Sequence, residues 1–136
     1  MQENLASAVD LPLPHSIYLQ KGNPMRYLCI YKPSKTEGTP PTEQEMADMG
    51  KFIEQARAEG WLLATEGCLP SVTGARVRRA GGTITVTDGP FAETRELIGG
   101  FALIQANSKE EAIELTRRFL QVAGDGETEI RQVHGR

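Results

Sequence analysis

Asp88 is the carboxylate best placed for chemistry in this sequence, within Val86-Thr87-Asp88-Gly89-Pro90-Phe91. Desolvated in a cavity, it would act as a general base or a hydrogen-bond acceptor. The structural alternative is simpler. An aspartate bonds its own backbone two residues on, and here it would stabilise the Gly89-Pro90 bend. The turn role is the expected one. Tyr27 and Tyr31 share one side of a strand with Cys29 and carry polar tips. They either line a cavity or sit in the core with satisfied hydroxyls. Arg131, in the last strand, would join them in orienting an acidic substrate. The candidate ligand-binding set is therefore Tyr27, Tyr31, Asp88 and Arg131.

A second catalytic group is hard to find. Histidine occurs as His15 and His134, with none between Tyr18 and Gln132. No Ser–His–Asp or Cys–His spacing results. Glu93 and Glu96 read as a solvated face. Cys29 and Cys68 form no CxxC, and a metal site needs more thiols or nearby histidines. They read as two buried free thiols. With no Walker pattern and no GxGxxG, neither a metal nor a cofactor is predicted.

The elements that must position these residues follow from periodicity. Arg26 to Lys32 reads as a strand. Leu28 and Ile30 face one way and Tyr27, Cys29 and Tyr31 the other, so the strand is central. Thr42-x-x-Glu45 has the form of a capping box, followed by Met46, Met49, Phe52, Ile53 and Ala56 at helical spacing. That stripe reads as ordinary core, and Glu59-Gly60 ends the helix. Trp61 to Glu66 is a second strand, broken from Gly67 to Gly74. Ala75 to Arg79 and Thr83 to Thr87 form a hairpin about Gly81-Gly82. Gly99-Gly100 is a turn signal, and a strand runs from Phe101 to Ala106. Ser108-x-x-Glu111 is a second capping box, opening a helix striped by Ala112, Leu115, Thr116, Phe119 and Leu120. Thr128 to His134 is the last strand.

Set the hairpin aside, and the order is strand, helix, strand, strand, helix, strand. That is the split βαβ plan, an antiparallel sheet with two helices on one face. The other face must be buried, and pairing two sheets across a two-fold axis would do so, predicting a homodimer.

Composition narrows the classes. The chain has 136 residues, 39% of them apolar, and a net charge of −3, which fits one domain. Its pI is about 5.4. Arg76, Arg78 and Arg79 cluster without extending into a basic face, so direct nucleic-acid binding is not expected. No run approaches a membrane span. The start carries an acid and is interrupted by Pro12 and Pro14, unlike a signal peptide. A cytoplasmic location fits these features and the cysteine usage. Residues 1 to 24 read as an extension: a native arm, an overlong gene start or an appended sequence.

Thr87-Asp88-Gly89-Pro90-Phe91, Glu93-Thr94 and Leu97-x-Gly99-Gly100-Phe101 closely resemble the signature of DGPF-domain proteins, within the YCII-related family. The resemblance runs from about Met25 to Val133, and Met25-Arg26-Tyr27 matches the usual family start. It implies a ferredoxin-like dimeric α+β barrel with an inserted β-hairpin, and a ligand cavity between the two sheets. Most members have no assigned activity. YCII proteins outside the DGPF branch carry a histidine on the first helix, proposed to work with an aspartate. The equivalent position here falls at or near Met49, which puts that mechanism in doubt.

Two readings result. The first is a small-organic-ligand binding module, with no more than weak activity. The resemblance gives it a regulatory setting, because DGPF genes often neighbour extracytoplasmic-function sigma factors. The second is an enzyme acting by proton transfer on a small organic acid, lactone or ring-cleavage product, with Asp88 as the base. Only fold analogy supports it.

Overall fold

The computed structural model describes residues 24–35, 37, 39–91 and 97–135. The expectations for the extension, for His15, and for Glu93 and Glu96 lie outside the described residues. Strand β1 (Met25–Pro33) leads to helix α1 (Glu43–Glu59), β2 (Leu62–Gly67) and a 3-10 turn (Ser71–Thr73). Strands β3 (Ala75–Ala80) and β4 (Thr83–Asp88) follow, then β5 (Gly100–Ala106), helix α2 (Lys109–Ala123) and β6 (Gly126–Gln132).

Four strands form one antiparallel sheet in the order β2-β5-β1-β6, while β3 and β4 pair only with each other. The architecture is α+β, compatible with the ferredoxin-like plan. Gly81 and Gly82 join β3 to β4 with φ of +57° and +84°. Only a primed turn takes that pair of angles, and glycine adopts it at little cost.

Strand β1 is central, as its two apolar faces require. Tyr27 and Cys29 face the helices and join Ile104, Ala106, Trp61 and Leu62 against Ala56, Ala112 and Leu115. On the opposite face Leu28 stands beside Leu103 and Ile30 beside Phe101. That face stays partly open. Phe101 is exposed, and Leu28, Ile30 and Leu103 are half-buried.

Both helices begin as their sequences direct. At α1 the Thr42 hydroxyl accepts from Glu45 N (3.0 Å) and the Glu45 carboxylate accepts from Thr42 N (2.9 Å), completing the capping box. At α2 only half the expected box forms. Ser108 Oγ accepts from Glu111 N (3.1 Å), but Glu111 Oε1 reaches one residue further back, to Asn107 N at 2.6 Å. Gly60 closes α1 with φ of +90°.

Three further details differ from the sequence reading. Gly100 does not form a turn; it opens β5 between Gly67 and Tyr31. A Cβ there would stand 2.7 Å from Glu66 O, so the residue is small to let strands approach. Cys68 is exposed, while Cys29 is buried. Glu59, read only as a helix end, is 7% exposed. Its carboxylate accepts from Trp61 Nε1 (2.7 Å), Arg118 Nη2 (3.2 Å) and Gln55 Nε2 (3.1 Å). An anion at a helix C-terminus opposes the helix dipole, and the Arg118 charge offsets this.

Candidate functional site

Between the helices and the sheet lies a cavity of about 460 Å³. Its helix wall carries Met46, Met49 and Phe52 from α1 and Leu115, Phe119 and Val122 from α2. Its floor is the helix-facing side of the sheet, including Cys29, Tyr31, Gly67, Gly100, Ala102 and Thr128. The glycines explain why space exists here. Gly67, Gly100, Tyr31 and Thr128 form one row across the four strands. Two of those four positions project no side chain toward the helices, so the row is under-filled.

The lining is mostly apolar and aromatic. Phe119 packs edge-on against Tyr31, with ring centroids 5.2 Å apart. Phe52 packs similarly on Trp61 at 5.9 Å. At the rim, Lys35 Nζ meets Glu45 Oε2 at 3.2 Å, and both side chains are about half exposed. The Glu45 carboxyl is held below its usual range by the Thr42 backbone N–H and then by Lys35. Burial pushes the Cys29 thiol up to about 11, outweighing the opposing pull of the Thr116 hydroxyl. This thiol is therefore neutral at ordinary pH and a poor nucleophile.

The four candidate ligand residues are not brought together. Tyr31 lines the cavity, and its hydroxyl donates to Asp125 O at 3.1 Å. Burial raises its pKa; Lys35 opposes that, and Asp125 adds to it. Tyr27 is core, 3% exposed, with its hydroxyl 3.9 Å from Met25 Sδ. Burial raises its pKa, with Glu110 adding to the effect. Arg131 pairs across from Leu28, on the face away from the helices, and its guanidinium meets Glu129 at 2.7 Å. Asp88 is exposed at the end of β4, opposite Ala75. No hydrogen bond joins its side chain to the amides of its own turn among the described residues. His134 is exposed beyond the end of β6.

The residues around Asp88 form a junction. The Gly89–Pro90 peptide is cis. Gly89 N donates to Gly74 O at 2.9 Å. A Cβ on Gly89 would overlap Ser71 O at 1.7 Å, so the position demands glycine by close approach. Ser71 Oγ accepts from Phe91 N (3.0 Å) and donates to Glu37 Oε1 (2.7 Å), and Ser71 N donates to Glu37 Oε2 at 2.6 Å. Arg76 lies over the Phe91 ring at 3.9 Å. These contacts tie the β3–β4 ribbon to the loop after β1.

The YCII-related domain family matches residues 25–134, from the first residue of β1 to just past β6. The chain belongs to that family. The YCII-related domain thus contains both the cavity and the ribbon. An uncharacterized protein of Rhizobium meliloti (strain 1021) is 34% identical over 92 residues, covering 66% of this chain and 74% of that protein. Among the described residues of this YCII-related domain, no cluster of histidine, cysteine and carboxylates suits a metal ion, and no helix is long and apolar enough to cross a membrane.

The sequence reading missed the methionines. Met46 and Met49 were expected in the core. Instead Met46 is 56% exposed, Met49 is half-buried, and both stand in the cavity wall. Flexible, polarisable methionine is common at adaptable binding surfaces, which was the available signal.

Proposed function

We propose that this YCII-related domain binds a small organic molecule in the cavity between α1, α2 and the sheet. The observation that carries this is an apolar hollow of ordinary small-molecule size, walled by aromatic rings and methionines with a few hydroxyls. Proton transfer is the weaker reading, because Asp88 lies outside the hollow and the Cys29 thiol is neutral. The DGPF resemblance supplies a setting for the binding module, accessory to sigma-factor-linked regulation.

Native mass spectrometry of freshly purified protein tests the binding reading. It should detect a co-purifying small molecule. Gly67→Leu should remove that molecule. A Cβ at Gly67 would meet only Gly99 O at 3.9 Å, so the backbone tolerates a side chain that fills the cavity. A bound mass unaffected by Gly67→Leu would place the ligand elsewhere.

The partly open face supports a homodimer, in which two sheets cover Leu28, Ile30, Phe101 and Leu103 across a two-fold axis as in the dimeric barrel. The β3–β4 ribbon is then an insertion in the ferredoxin-like plan. Light scattering at micromolar concentration should give twice the monomer mass; a monomer would remove the dimeric barrel and leave the helix-side cavity. Residues 25–136 form the domain in this reading, so deleting residues 1–24 should preserve a cooperative melt.

A further inference from the structure

We propose that one face of the β3–β4 ribbon is a contact surface for a second copy of this chain, with the two ribbons face to face and running in opposite directions. The contact is separate from the cavity and from the pairing of the open sheet faces.

The register sorts the ribbon's residues by side. Val77 stands opposite Val86, Arg79 opposite Ile84 and Ala75 opposite Asp88. Side chains alternate along a strand, so these six share one face. Arg76, Arg78, Ala80, Thr83, Thr85 and Thr87 take the other. The first face is apolar at its centre, and the second is mostly threonine and arginine. Strand propensity does not explain this sorting, because threonine is β-branched just as valine and isoleucine are. Sorting by polarity is the mark of a strand pair with one covered face. Yet Val77, Ile84 and Val86 are 71%, 62% and 63% exposed, and so is every other residue of both strands exposed. Three large apolar side chains bare on one small face mark an interaction site, unlike hydrophobic residues scattered singly.

The charges at the two ends of this face select the occupant. Asp88 lies at the root of the ribbon beside Ala75, and Arg79 lies near its tip beside Ile84, with the valines between. A two-fold contact must be self-complementary. With the ribbons antiparallel, the root of each meets the tip of the other. Asp88 of one copy then shares a level with Arg79 of the second copy, twice over, and the valines meet at the centre. Ala75 is small enough to admit the longer side chains of the facing tip. Parallel ribbons would instead set Asp88 against Asp88 and Arg79 against Arg79, which like-charge repulsion disfavours. Two narrow ribbons bury little area, so the contact belongs to the weak, transient class. In dilute solution the ribbons stand apart, and at high local concentration they pair.

Sedimentation equilibrium of the full chain, from micromolar to millimolar protein, tests this. The average mass should hold its micromolar value and then rise toward twice that value. Arg79→Asp and Asp88→Arg each place like charges at both ends of the contact. Either alone should raise the dissociation constant for this step roughly tenfold or more. An equimolar mixture of the two variants should recover the association, because each acid again meets a base. Mixing would not rescue a merely structural defect. Val86→Thr keeps the β-branched shape and should weaken the step several-fold. No variant should change the mass at micromolar concentration.

A mass that never rises would mean that the face is covered by a different protein, by residues 1–24 or by nothing, and would overturn the proposal. So would a rise that both charge reversals leave intact, or one that mixing fails to restore. A variant that dissociates already at micromolar concentration would place the ribbon in the main seam and overturn a separate contact. The sheet-face dimer is read at micromolar concentration and the ribbon contact above it, so either can fail alone.

Discussion

The four-stranded sheet with its helices and the two-stranded ribbon are built from the same kinds of residue and behave as opposites. Strand β1 alternates buried and half-buried positions, and its neighbours enclose a core. In β3 and β4 every residue is exposed, including Val77 (71%), Ile84 (62%) and Val86 (63%). Val77 and Val86 face each other across the ribbon, so their β-branched side chains favour the strand without reaching any core. Local alternation of apolar and polar residues makes a strand; a second layer is needed to make it a wall. The family signature spans both regions: Thr87 to Phe91 lies at the base of the ribbon, whereas Gly99, Gly100 and Phe101 line the cavity.

The sharpest way to break this contrast is a pair of truncations. Leu115→Ala, at a 2% exposed side chain, should cost about 2–5 kcal/mol in denaturant unfolding. Val77→Ala should stay within about 0.5 kcal/mol, as for a surface change. Comparable losses would mean that the ribbon face is covered in solution.

Glu59→Gln probes how the helices are held on the sheet. It keeps a hydrogen-bond acceptor for Trp61 but removes the charge opposite Arg118. Arg118 is partly solvated, at 30% exposed, so the expected loss is about 1–3 kcal/mol. An unchanged denaturation midpoint would show that the ion pair adds nothing beyond packing.

The two thiols sharpen the comparison kinetically. Cys68, in the connection leading to the ribbon, is exposed and should react readily with a thiol reagent at pH 8. Cys29 should react far more slowly, because its thiol is buried and neutral. Its raised pKa also has a thermodynamic sign. Well below pH 9.0 the thiol is neutral in both states. As pH rises from 9.0 to about 11, the unfolded chain loses the proton that the folded one keeps, so stability falls across that window. Cys29→Ala should remove that part of the alkaline decline, and equal labelling of both thiols in the native protein would refute the burial assigned to Cys29.

The smallest effect is expected at the residue that first drew notice. Asp88→Asn, on the exposed end of β4, should change stability by no more than about 0.5 kcal/mol. It should leave any co-purified ligand in place. Loss of that ligand would mean that the ribbon reaches a binding site in the assembled protein, and would reinstate Asp88 as a functional group.

Much of the secondary structure was legible because its causes are local. Thr42 and Glu45 stand three residues apart, Gly81 and Gly82 are adjacent, and the alternation in β1 spans a few residues. Such features act over one turn of helix or one strand, so spacing alone reveals them. The centrality of β1 was legible for a related reason, since apolar residues on both faces need layers on both sides.

What the tertiary structure decided all depends on partners far away in the chain. Glu59 is buried because Arg118 comes to it from 59 positions on. Met46 and Met49 border a hollow instead of filling the core because Gly67 and Gly100, on two other strands, withhold side chains beneath them. Gly99-Gly100 reads as a turn in isolation, yet Gly100 continues a sheet because Gly67 and Tyr31 flank it. Cys68 is exposed and Cys29 buried, although each has apolar neighbours in sequence. A chain of residues specifies its turns and stripes one neighbourhood at a time, but which space stays empty is set by everything packed around it.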